Sequence, residues 1–113
     1  MKTFSKIAIL SLLTVFVMSC SSGYKAYKQG DYYKACIDAV DKLRTSPGSD
    51  KAQYVLQKTY PLAQQTALRE IDNALLRNDQ NNYETVVYQY ERLNELANNI
   101  YACPKANQLI PSP

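Results

Sequence analysis

Three thiols, two pairs of carboxylates and ten phenols are the groups in this 113-residue chain with chemistry to offer. Asp38 and Asp41, and Glu91 and Glu95, have the three- and four-residue spacing that sets carboxylates side by side on a helix, as an acid–base or metal pair requires. Lys42 and Arg92 lie beside them, so ion pairing on a solvated face is the expected role. The chain has no His, which removes the usual base near neutral pH and the commonest transition-metal ligand. It also lacks a glycine-rich phosphate loop and a nucleophile with a recognisable base. No catalytic, cofactor-binding or metal-binding residue is therefore expected, and the chain reads as a non-enzyme.

The cysteines differ in kind. Cys36 falls on an apolar helix face and is expected to be a small buried hydrophobe. Cys103 falls just past the last helix. A bond between them is disfavoured: parallel helices with Cys36 near one start and Cys103 past the other end leave a gap of order 15 Å, against a limit of ~7 Å. That leaves Cys103 open to an intermolecular bond. Cys20 stands apart, because it closes an apolar run.

Lys2 and Lys6 precede that run, Ile7 to Met18, which is too short to span a bilayer as a permanent helix. The sequence Val17-Met18-Ser19-Cys20-Ser21 resembles the lipobox of bacterial lipoproteins. The resemblance implies a signal over residues 1–19 that is cut off, and a mature N-terminus at Cys20 carrying diacylglycerol and a further acyl chain such as palmitate. The competing reading is an ordinary secretory signal cut near Ser22. Ser21 in place of Asp, with no acidic cluster after it, points by the same resemblance to the outer membrane and its periplasmic face.

Of 13 Lys and Arg, Lys2 and Lys6 lie in the signal, leaving 11 against 10 Asp and Glu. That balance, with no two basic residues adjacent, argues against nucleic acid as a partner. The abundance of tyrosine suits a thin domain whose rings pack while their hydroxyls stay wet, or a groove that binds peptide.

The elements behind these residues are all helical, since no period-2 alternation persists. The spacing predicts a short helix over 24–29, a second to about Arg44 capped by Asp31, and a turn at Thr45–Gly48 with Ser49 as the next cap. A long helix follows over 50–77, kinked or split by Pro61. After a polar loop at 78–82, a last helix covers 83–101 with Val86, Val87, Tyr90, Leu93, Ala97 and Ile100 inward. Residues 20–23 form a lipidated linker and 24–103 the domain. Residues 104–113, with three prolines, are expected to lack regular structure.

Gly30-Asp31-Tyr32-Tyr33-Lys34-Ala35, followed by Pro47, resembles the second half of a tetratricopeptide repeat, with Gly23 where the small residue of the preceding helix belongs. Lys42 and Arg69 stand where that pattern wants Ala. The stretches Tyr24–Ala35, Thr59-Tyr60-Pro61 and Ile100–Pro104 also resemble an uncharacterised group of tetratricopeptide-like lipoproteins of the Bacteroidota. The chain stops where members of that group continue, as a truncated member would.

The expected fold is thus a short antiparallel array of about four helices. Its expected role is that of a membrane-anchored protein-binding scaffold in the cell envelope. Tyr24, Tyr27, Tyr33, Tyr88 and Tyr90 are the expected contacts to an envelope partner. Two alternatives stay open: an accessory subunit of an outer-membrane assembly or secretion complex, and a small ligand-binding or hydrolytic lipoprotein.

Overall fold

The computed structural model describes residues 22–77 and 81–113. The signal segment, Cys20, Ser21 and residues 78–80 of the polar loop lie outside the described residues. Five helices follow one another: α1 (Tyr24–Lys28), α2 (Tyr32–Thr45), α3 (Asp50–Arg77), α4 (Asn82–Ala102) and α5 (Pro104–Leu109). The protein is an all-α array.

Each helix start has a local cause. Asp31 accepts a hydrogen bond from the Lys34 N–H at 3.3 Å and so caps α2. Ser49 does the same for α3, accepting from the Ala52 N–H at 3.2 Å. Between the two, the Gln53 side chain donates to the Pro47 carbonyl at 3.0 Å and closes the turn. Helix α3 runs through Pro61 as a single element and is not split in two. The proline frees the carbonyl of Gln57, but both residues are exposed, so water can satisfy that carbonyl at little cost.

The short connections make α2, α3 and α4 alternate in direction. Cys36 of α2 faces Thr59 of α3, and Tyr33 and Arg44 of α2 reach Glu95 and Asn99 of α4. The fully buried core is Ala35, Ala39, Val40 and Leu43 of α2, Ala52, Val55 and Leu56 of α3, and Leu96 and Ile100 of α4. Helix α1 closes one side of this layer. Its entry residue Gly23 has φ +86° and approaches the backbone of Ala35 so closely that a side chain there would collide with it.

The C-terminal segment corrects the sequence reading. Residues 104–109 form α5, with Ala106 fully buried and Leu109 and Ile110 packed on the core. Pro104 occupies the first turn of that helix, where its missing N–H costs nothing, so it starts a helix and does not stop one. Extended backbone at Cys103 turns the chain, and the apolar stripe 103-106-109-110 carries it back onto α2 and α4. The domain therefore extends past residue 103.

The face of α4 is also rotated from the expected one. Leu96 and Ile100 are fully buried, whereas Val87 and Tyr90 are about half exposed, at 52% and 50%.

Candidate docking surface

Three regions of this array bring functional side chains together. At the start of α2, a cleft of about 120 Å³ lies between Asp31 and Tyr33, Ala63 and Thr66 of α3, and Gln89 and Arg92 of α4. That is below the ~300 Å³ of ordinary small-molecule sites. Its polar rim is committed within the protein. The Tyr33 hydroxyl donates to Glu95 at 2.9 Å, and the Arg92 guanidinium lies 4.0 Å from the Tyr33 ring centre and 5.3 Å from that of Tyr88.

Burial, helped by the hydrogen bond to Glu95, pushes the Tyr33 phenol up to about 12. The unfolded chain then loses this proton near pH 10, before the folded protein does. Tyr33 thus contributes stability that is complete below pH 10 and is lost as pH rises to about 12. Tyr33→Phe is expected to flatten the fall in urea stability between those pH values, with a change at pH 7 of about 1 kcal/mol or less.

The carboxylates of the two pairs turn to separate partners. Asp41 pairs with Arg44 at 3.2 Å, and Arg44 also donates to Asn99 at 2.7 Å, tying α2 to α4. Burial raises the Asp38 carboxyl above the usual range, with Lys34 opposing. Glu95 belongs to Tyr33, and Glu91 stands exposed a turn away. No cluster of His, Cys, Asp and Glu able to hold a metal occurs among the described residues.

Both described thiols are free and buried. Cys103, 1% exposed, points at the Val40 carbonyl 3.9 Å away, which puts it out of reach of another molecule. Cys36 lies 3.1 Å from the Thr59 hydroxyl, whose own proton goes to the Val55 carbonyl at 2.6 Å. The thiol is therefore the donor to Thr59. Burial pushes Cys36 up to about 12, so it carries no thiolate at neutral pH. Cys36 and Cys103 are expected to react with Ellman's reagent at pH 8 at least ~100-fold more slowly in the native protein than in urea. Comparable rates would show that the core opens readily.

The second region is a tyrosine cluster around α1. Tyr24 and Tyr27 meet edge to face at 6.3 Å, and Tyr27 also approaches Tyr32 and Tyr54 at 6.4 and 6.3 Å. Tyr24 and Tyr27 are half-buried against the core, so they pack as much as they present.

The third region is the far end of the α3–α4 hairpin. Helix α2 begins level with Ala63–Ala67 and Gln89–Leu93, so α3 overhangs it by about ten residues, or ~15 Å. Only Ile71 and Ala74 are buried in that overhang. Leu75, Leu76, Tyr83 and Val87 are exposed, Leu76 to 82% and Tyr83 to 76%.

Helix α4 consequently carries two apolar stripes. The first, Val86, Gln89, Leu93, Leu96 and Ile100, steps by three and four and faces the core. The second, Tyr83, Val87, Tyr90, Asn94, Ala97 and Tyr101, steps by four and three about 100° round the helix. Its three tyrosines and Val87 are all at least half exposed. On α3, exposed Leu68 and Leu75 lie about 40–60° from buried Ile71 and extend the apolar surface.

The five tyrosines singled out from sequence thus do not form one site. Tyr24 and Tyr27 belong to the α1 cluster, Tyr33 and Tyr88 flank Arg92, and Tyr90 sits on the outer stripe of α4. Sequence reasoning missed Tyr83, Val87 and Tyr101, although their four-three spacing was there to be read. Compared with known protein families, curated proteins and solved structures, the chain matches none of them. No described helix is long and apolar enough to cross a membrane.

Proposed function

We propose that this protein is a membrane-tethered helical scaffold that docks another protein of the cell envelope through the outer stripe of α4. The observation that carries this reading is the stripe itself. A four-three repeat, apolar or aromatic here at every position but Asn94, is the pattern by which one helix seats another, and no helix of the described array occupies it. Repeat arrays stack helices on such faces, and an uncovered one is a natural docking site. The close approach of Gly23 to Ala35 supports the tetratricopeptide-like reading, which pairs a small residue with that Ala, although Gly23 here precedes α1 and is not within it. The tether is Cys20, whose thiol receives diacylglycerol before residues 1–19 are cut off, with the periplasmic face of the outer membrane as its address.

A photoreactive residue placed at Val87 tests the docking reading in cells. It should give one discrete crosslinked product, identified by mass spectrometry as an envelope protein, and the same residue at exposed Asp41 should give none. Equal products from both positions, or none from Val87, would overturn it. The tether is tested separately: processing should be blocked by globomycin, and unchanged membrane association of a Cys20→Ser variant would sink it.

A further inference from the structure

The tyrosine cluster around α1 has a feature that packing does not require. Lys28 and Lys51 both stand over the Tyr24 ring, with their ammonium groups 5.2 and 4.5 Å from its centre, and Lys58 stands 5.9 Å from that of Tyr54. All three lysines are exposed, as is Lys25 beside them on α1. The one ion pair among the described residues is Arg44 with Asp41, so no described carboxylate, Asp50 beside Lys51 included, is in ion-pair contact with these lysines. Asp31 is turned to its own helix as a cap. The Tyr24 hydroxyl holds Lys28 above the usual lysine range.

We propose that the face formed by Tyr24, Tyr27, Tyr54, Lys28, Lys51 and Lys58 seats the domain on the anionic headgroups of a phospholipid bilayer. Two observations carry it. The face combines unneutralised ammonium groups with amphipathic rings, the composition that settles at a membrane interface, where lysines meet phosphate and tyrosines lie at headgroup level. It also lies beside the chain's entry: Tyr24 is four residues from Cys20, so even a fully extended chain keeps α1 within ~15 Å of that residue. The second argument rests on the lipid-anchor reading, and the first does not. Seated this way, the domain presents its α1 side to the membrane.

The test uses the lipidated protein, purified in detergent and reconstituted into vesicles. One set is phosphatidylcholine alone and the other contains about 30% phosphatidylglycerol. Lysines are labelled with an amine-reactive reagent and quantified by mass spectrometry. Lys28, Lys51 and Lys58 should be labelled about fivefold or more slowly on the anionic vesicles, with Lys42 and Lys105 unchanged. The protection should vanish in 1 M salt, where the Debye length falls to about 3 Å. In a Lys28→Glu/Lys51→Glu variant, whose helicity should be intact because both sites are exposed, Lys58 should lose its protection.

Equal labelling on both vesicles would overturn the proposal and leave the lysine face to an acidic protein. Failure to float with phosphatidylcholine vesicles would instead indict the anchor at Cys20. Labelling on the anionic vesicles would still decide the headgroup proposal.

Discussion

Gly23→Ala is expected to destabilise the domain by about 2–4 kcal/mol, an unusually large loss for the addition of one methyl group. Two costs combine. At φ +86° an L side chain pays about 1–2 kcal/mol for left-handed backbone. The new Cβ would also lie 3.1 Å from the Ala35 carbonyl carbon and closer still to its oxygen. Ala35 is in the first turn of α2 and fully buried, so its backbone cannot move aside without disturbing the start of that helix. Either the helices part or α1 undocks.

Gly30 provides the control. It has φ +81°, but nothing lies within 4 Å of a Cβ built there. Gly30→Ala should therefore pay only the backbone cost, about 1–2 kcal/mol. Urea unfolding followed by circular dichroism would separate the two variants. Equal midpoints would mean that α1 does not press on α2. A selective loss at Gly23 would also scatter Tyr24 and Tyr27, and with them the lysine face that we assign to the membrane.

Local features were legible in the sequence because their causes are local. Asp31 and Ser49 cap the helices they were expected to cap, since a side-chain oxygen before an amphipathic run needs no tertiary information to find its N–H. The bounds of α2 and α3 followed from the same cues. Position-dependent residues were misread. The three prolines of residues 104–113 point to an irregular tail, yet Pro104 serves in a first turn, and Ala106, Leu109 and Ile110 behind it give the segment an apolar face to bury. The overhang of the α3–α4 hairpin could not be read at all, because it depends on where the start of α2 lands along α3. Nor could the split of the tyrosines into separate groups, which is set by helix rotation and not by spacing.

Leu96→Ala should cost about 2–5 kcal/mol, whereas Tyr90→Ala should stay within about 0.5 kcal/mol of the parent. The contrast tests the rotation of α4 directly. Read as one amphipathic helix, residues 82–102 have a mean apolar direction between their two stripes, and that average puts Val87 and Tyr90 inward. In the fold, the inner stripe wins the core because it alone lines up with α2, α3 and the Cys103 turn, leaving Leu96 at 0% exposure and Tyr90 at 50%. Truncating Leu96 opens a cavity against Ile100 and the α2 core, with no side chain free to fill it. Truncating Tyr90 removes a side chain half of whose surface already faces water. The opposite order of unfolding midpoints would restore the single-face reading and remove the outer stripe on which docking depends. If the order holds, Tyr90→Ala becomes a probe of docking: a variant as stable as the parent that no longer gives the Val87 crosslink would have lost a contact and not a fold.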